Sequence, residues 1–400
     1  MILSQFILNP PNWNSSVKIK YIWQTAIKRG IQGNEQRSKL KSWPRRNITW
    51  QAQINTNYQR NLIIRKLFFD FQNIFGIPLW PYARQLTSAA SIDDTTIYLD
   101  TTNNTFADNQ IILITSNHID YDYGIISSFN DTSISLTSGL TRDFVLGASV
   151  YPVLQGRISN NRFQALSQIT GKISDVNLDF SESYELSQIF VPGSNDYSTY
   201  NGYYVLNNEP NWASNVELGL NKPFEVLNTI GIDTSYCYQL ETDFSLKAKY
   251  TFYTASAINK FENFFNDIAG KYGSFWVPSW GNDFVITSAI TNTDTTLSIE
   301  NINYYSNWLN NDLIGRIIFI KYKSTEVFRK IISAPSAYSI QLDSAVGIDV
   351  SANELANIVS CFLLPVRFDQ DELEMEYFNN EIAEAAIKFY SVNDSDMIPT

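Results

Sequence analysis

The order of short motifs in the first 200 residues returns in the second 200, and this repetition constrains the fold more than any other feature of the sequence. Residues 5–19 read QFILNPPNWNSSVKI and residues 204–218 read YVLNNEPNWASNVEL, so the shared Pro-Asn-Trp sets Trp13 against Trp212, an offset of 199. SAASIDDTTIYLD (88–100) matches SAITNTDTTLSIE (288–300) at an offset of 200. SSFNDTSISLTSGL (127–140) matches SAPSAYSIQLDSAV (333–346) at 206, and KISDVNLDF (172–180) resembles AEAAIKFYS (383–391). Four collinear matches with a slowly drifting offset point to a tandem duplication. The period is far above that of solenoids or propellers, so each copy is expected to be a domain-sized unit.

Both copies share one order of patterns. Strand-like stretches come first: VKIKYIW (17–23) and RNITWQAQIN (46–55), then FSLKAKYTFYT (244–254) in the second copy. A helix is predicted over 57–76, with Leu62, Lys66, Phe69 and Ile74 at near-helical spacing and Gly76 as its stop. Its counterpart over 255–270 aligns Ile258, Phe261, Phe265 and Ile268 and stops at Gly270. IPLWPY (77–82) and SFWVPSW (274–280) follow, and their prolines suit edge segments. Each copy then carries five short alternating strands separated by turns, the pattern of a small barrel or sandwich.

The expected fold class is therefore mainly β with a few helices: a tandem duplication of a β-sheet-plus-helix domain, each copy carrying an inserted small β-barrel. The expected boundaries are 1–87 plus 156–182 for the first domain and 88–155 for its barrel. The second domain takes 206–287 plus 366–392 and its barrel 288–365, with 183–205 as a Tyr-rich linking loop.

A chain of 400 residues is long enough to bury more than one core. No apolar run approaches the 18–20 or so residues of a membrane span, and the N-terminus lacks the pattern of a secretory signal. The single histidine, His118, leaves only one base for any nucleophilic triad, and two cysteines, Cys237 and Cys361, make no disulfide framework. No phosphate-cradling loop, nucleophile elbow or metal-ligand spacing is present. We therefore expect no catalytic residues, no metal and no cofactor. His118, Asp120 and Asp122 alternate like a metal cluster, but Lys321 and Lys323 stand at the equivalent place, favouring a solvated turn. Asp369, Asp371, Glu372, Glu374 and Glu376 alternate with apolar residues and read as one solvated acidic strand face. Tyr197, Tyr200, Tyr203 and Tyr204 suit either a sugar platform or an interface. Trp13, Trp80, Trp212 and Trp276, at duplicated positions, read as core.

Charge separates the N-terminus from the rest. Residues 1–66 hold twelve Lys and Arg against one acid, Glu35, a surplus of +11; the remaining 334 residues carry −22, for a total of −11. The basic residues are spread among strand-like and aromatic segments, which favours docking on the acidic surface of a neighbouring copy or partner over binding nucleic acid. GNEQR (33–37) and PRR (44–46) are the most distinctive stretches. Glu35, Arg37, Arg45 and Arg46 are the candidate assembly contact, with the arginines making forked pairs to carboxylates of a neighbouring subunit. The alternative is an ion pair of Glu35 with an arginine inside the subunit, fixing the turn before the strand at 46–55.

The same residues carry a resemblance. NPPNW (9–13), WQTAIKRGIQGNEQRSKLKSWPRR (23–46), the passages ending PLWPY and FWVPSW, and DDTTIYLDTTNNTFADNQIILI together resemble the tail-tip proteins of tailed bacteriophages, of the distal-tail and baseplate-hub kind. The second copy has no counterpart of GNEQR or PRR. The resemblance implies a non-enzymatic virion protein made in the host cytoplasm, forming a ring of six or three copies around the tail axis. Its implied partners are the tail tube protein and other tail-tip or fibre proteins, with neither membrane nor specific nucleic acid. The alternatives are a carbohydrate-binding tail adhesin using the barrels and, further off, a glycan-cleaving tail enzyme.

Overall fold

A computed structural model gives the chain a mainly β architecture built around one large antiparallel sheet. It describes residues 5–31, 33–70, 72–103, 105–117, 119–159, 166–171, 173–183, 196–222, 224–227, 231, 233–237, 243–307, 316–393 and 397.

The first half opens with β1 (Val17–Ile22), a hairpin of β2 (Thr25–Arg29) and β3 (Glu35–Lys39), and the long β4 (Arg45–Ile54). Helix α1 (Asn57–Ile64) continues as a π-helical turn, Arg65–Phe69, and leads to β5 (Phe75–Pro78). Next come β6 (Arg84–Gln85), β7 (Thr96–Tyr98), β8 (Ile111–Thr115), β9 (Tyr121–Asn130) and β10 (Ser133–Leu136). Strand β11 (Ser149–Ile158) returns to the large sheet, followed by β12 (Leu166–Gln168) and β13 (Ser174–Glu182).

A short hairpin, β14 (Thr199–Tyr200) and β15 (Tyr203–Tyr204), precedes the second half. That half contains β16 (Glu217–Asn221), the hairpin β17 (Phe224–Leu227) and β18 (Thr234–Cys237), and β19 (Asp243–Phe252). Helix α2 (Ala255–Ile268) and β20 (Phe275–Pro278) follow. Then come β21 (Thr296–Ser298), a helical turn α3 (Tyr304–Asn307), β22 (Ile317–Tyr322), β23 (Thr325–Ser336) and β24 (Ser339–Leu342). Strands β25 (Ile358–Phe368), β26 (Glu372–Tyr377) and β27 (Ala383–Ser391) close the fold.

The ladders of the two halves run in matching registers. Strand β4 lies between β1 and β13, β13 pairs with β11, and β11 with β5. Strand β19 likewise lies between β16 and β27, β27 pairs with β25, and β25 with β20. Partner residues correspond: Ile22↔Arg45 with Asn221↔Asp243, Asn47↔Ser181 with Ser245↔Tyr390, and Gly156↔Phe75 with Val366↔Phe275. These registers set Ser174 against Ala383, two residues from the alignment of KISDVNLDF with AEAAIKFYS. The strands between β5 and β11 pair in a closed circuit, β11–β8–β9–β10–β7, completed through the Leu86↔Leu99 bridge and β6. The second half repeats this order with β25–β22–β23–β24–β21 and an Ile286↔Ile299 bridge.

Alternation explains the burial. In β4, Arg46, Ile48, Trp50, Ala52 and Ile54 face inward, and in β19 Phe244, Leu246, Ala248, Tyr250 and Phe252 do. One apolar core runs through both halves, with a separate cluster inside the 86–150 circuit. Helix α2 buries Ile258, Phe261, Phe265 and Ile268 as its spacing predicts, and Ala269 ends it in the left-handed conformation. The first helix departs from its predicted face. Its α-helical part stops at Ile64, it buries Ile63 and Leu67, and Leu62 and Phe69 are exposed. The π-helical turn adds a residue per turn and rotates the face away from 3.6 spacing.

Trp80 and Trp276 are in the core, whereas Trp13 and Trp212 are exposed. What the Pro-Asn-Trp motif preserves is a turn. Asn12 and Asn211 cap it by accepting from the backbone N–H of Asn14 and Ala213, and their own N–H groups bond to Gln51 and Lys249. The tryptophans follow the asparagines and point outward.

Candidate assembly surface

The two halves meet where β1 lies antiparallel to β26, from Val17↔Tyr377 to Ile22↔Glu372. Inward residues of the pair, such as Ile19, Tyr21, Leu373 and Met375, join the core. On the other face Lys18 Nζ lies 2.9 and 2.6 Å from Glu374 and Glu376, and Lys20 Nζ 3.4 and 3.3 Å from Glu372 and Glu374. Hydrogen bonds to Glu376 and then Glu374 raise the Lys18 ammonium above its ordinary value. The acidic face of β26 thus meets the basic face of β1 within one chain.

The β2–β3 hairpin reaches over the second half. Arg29 donates to the Tyr390 hydroxyl at 2.7 Å and to Asp243, and Tyr390 donates to Asp243 at 2.9 Å. Glu35 receives a forked pair from Arg367, at 2.8 and 2.9 Å, with both side chains buried. Arg37 donates to Ser274 Oγ at 2.8 Å and lies 4.0 Å from Glu35. At the base of the hairpin, Asp371 accepts from the Thr25 N–H and hydroxyl, and the Trp23 indole donates to Asn266 at 3.2 Å.

A buried polar seam lies beneath this joint. Arg46 donates to Glu182 through Nη2 at 2.9 Å, Nε at 3.3 Å and its backbone N–H at 3.0 Å. Burial opposes the Arg46 charge, but Glu182 outweighs it and leaves the guanidinium above its ordinary value. Beside them Glu262 accepts from Tyr82 at 2.6 Å and from Tyr377, with Tyr21 at 3.3 Å from Tyr82. Burial pushes the Glu262 carboxyl up to about 7 against the opposing pull of the tyrosine hydroxyls. Burial likewise raises Tyr21, Tyr82 and Tyr377.

The four candidate contact residues therefore divide. Glu35 and Arg37 face the second half of their own chain, and Arg46 pairs with Glu182 of its own half. The carboxylates beside these two arginines, Glu35 and Glu182, belong to their own chain. Arg45 is exposed and lines a cavity of about 1360 Å³ on the polar face of the first-half sheet, with Lys18, Lys20, Arg157, Asp179 and Glu374. Protein-family models give no match to this chain. Curated proteins give none either.

The other candidates have local roles. Asp120 lies 3.3 Å from Arg142, and Asp122 accepts from the Thr141 N–H and hydroxyl. His118 lies outside the described residues. Asp369 pairs with Lys388 at 3.0 Å. Tyr197 packs on Phe264, and Tyr200 on Trp276 and Phe328, so these rings face the second half. Sequence reasoning missed Asp243, Arg367, Tyr390 and Glu262. The available signal was a lone charge in an apolar stretch: Arg367 stands between the buried Val366 and Phe368 of β25, and Glu262 follows Phe261 on the buried face of α2.

Proposed function

We propose that this chain is a structural virion protein of a bacteriophage tail tip, of the distal-tail or baseplate-hub kind, acting by assembly without catalysis or cofactor. It forms a ring of three or six copies joining the tail tube to host-facing tail-tip or fibre proteins, and it is made in the host cytoplasm. The chain is a tandem duplication of a β-sheet-plus-helix unit, 1–87 with 156–182 and 206–287 with 366–392. The segments 88–155 and 288–365, which carry most of the two strand circuits, are the inserted barrels, and 183–205 connects the copies.

The observation that carries this reading is the matching register of four ladders in each half: β1–β4 with β16–β19, β4–β13 with β19–β27, β11–β13 with β25–β27, and β5–β11 with β20–β25. A chain of two alike units, joined edge to edge and with β12 and β16 each paired on one side only among the described residues, is suited to repeat that joint around an axis. Electron microscopy of the purified full-length chain tests it: closed rings with a central channel are expected, and antibody to the chain should label the tail tip of intact particles. A chain that is monomeric at all concentrations and absent from tails would overturn the reading.

A further inference from the structure

The joint between the halves uses three parts of the second half: the outer edge of β26, helix α2, and the polar sheet face carrying Asp243, Tyr390 and Arg367. The matching registers place the same parts on the first half. There β12 stands for β26, with Leu166, Ser167 and Gln168 at the positions of Met375, Glu376 and Tyr377. Helix α1 stands for α2, since both are capped by a threonine, Thr56 and Thr254, and Ile64 takes the place of Glu262. Arg45 and Arg157 stand for Asp243 and Arg367. Among the described residues β12 pairs only with β13, and the sheet face is the open cavity.

The second half carries the matching insert. Strand β16 is the counterpart of β1, but its only ladder partner among the described residues is β19. Leu218 and Leu220 are 55% and 67% exposed where their counterparts Ile19 and Tyr21 are 0% and 3%. The β17–β18 hairpin is the counterpart of β2–β3 and leaves Phe224, Val226 and Tyr236 exposed. Its charge is inverted: it carries Glu225 and Asp233 and no basic residue, whereas β2–β3 carries Lys28, Arg29, Arg37 and Lys39 around Glu35. Asp233 takes the position of Glu35, and Arg157 that of its partner Arg367. The sign of the insert thus suits the exposed arginines of the cavity, and Leu218 and Leu220 suit the apolar Ile64.

We propose that β16 and the β17–β18 hairpin of one chain dock on β12, α1 and the Arg45–Arg157 face of a second copy, repeating between chains the joint that β1 and β2–β3 make within one. The register is antiparallel: Val216↔Gln168, Glu217↔Ser167, Leu218↔Leu166. Asp233 meets Arg157 of the next chain. The contact is head-to-tail, so it generates a ring where its rotation closes. The proposal rests on the ring reading above but specifies its surfaces.

Two full-length variants, Glu217→Cys and Ser167→Cys, each in a Cys237→Ser background, are mixed and oxidised. A disulfide-linked heterodimer is expected, because directly opposed strand residues lie within disulfide reach. A displaced pair, Glu217→Cys with Thr170→Cys, should cross-link at least tenfold less. Independently, Asp233→Arg should weaken self-association at least tenfold by sedimentation velocity, and adding Arg157→Asp should restore it; circular dichroism checks that each variant folds. If rings form while the cross-link and the charge swap both fail, this docking surface is wrong and the ring reading stands. If the chain does not self-associate under any condition, both are wrong.

Discussion

The two hairpins that follow the first strand of each half, β2–β3 and β17–β18, occupy the same place in matching ladders and have opposite surroundings. The first lies on the second half, with Glu35 and Arg367 forked together and Arg29 held by Asp243 and Tyr390. The second is exposed and carries apolar and acidic side chains. Burial here is set by what lies beside the edge strand: β1 has β26 on its outer side, whereas β16 pairs with β19 alone among the described residues. The same contrast holds underneath. The joint within the chain is polar, built on Arg46–Glu182 and Glu262, whereas the matching positions are Phe244, Ser391 and Ile64.

The largest effect is expected where that contrast is broken in the first half. Removing one member of a buried ion pair leaves an uncompensated charge, so Arg46→Ala should lower stability by about 3–5 kcal/mol in denaturant unfolding. Arg46→Phe with Glu182→Ser, which copies Phe244 and Ser391, should recover most of that loss. If the double variant is as unstable as the single, the two positions are not equivalent in packing.

A smaller effect separates the seams by pH. Because the folded chain holds the Glu262 proton up to about pH 7, while an unburied glutamate releases it near 4.5, the folded state is favoured at low pH. That contribution is lost as pH rises from 4.5 towards 7, by about 1.4 kcal/mol for each pH unit of the window. Glu262→Gln should flatten this dependence and be the more stable protein at pH 8. Parallel pH profiles for the two proteins would show that Glu262 does not titrate in that range.

The smallest effect belongs to the exposed rows of the joint. Lys18→Glu, set against Glu374 and Glu376, should lower stability by about 1 kcal/mol in dilute buffer. Near 1 M salt, where the Debye length falls to about 3 Å, the difference should disappear. A salt-independent loss would mean that the side chain acts by packing.

Regular elements were legible in the sequence where one period dominated. The alternation of β4 and β19 and the helical spacing of Ile258, Phe261, Phe265 and Ile268 are local signals. The β2–β3 hairpin had none: EQRSK shows no apolar alternation, and its pairing is fixed by Asp243 and Arg367, more than 200 positions away. The charge asymmetry of the N-terminus pointed to an acidic docking surface on a neighbouring copy or partner, but a charge balance carries no information on which chain supplies that surface. Trp13 and Trp212 misled because the repeated feature is the asparagine turn, and the tryptophan after it faces outward. The π-helical turn after Ile64 was hidden because hydrophobic spacing alone does not distinguish it from a continued α-helix.

Hydrogen exchange on the full-length chain, dilute and assembled, tests most directly the claim that one joint is used twice. Peptides covering β1 and β26 should be protected at every concentration, since their pairing is internal. Peptides covering β16, β17–β18 and β12 should exchange quickly in the dilute chain and become protected together, at the concentration where sedimentation shows assembly. Assembly that protects other surfaces and leaves β16 and β12 exchanging as fast as in the dilute chain would contradict the account.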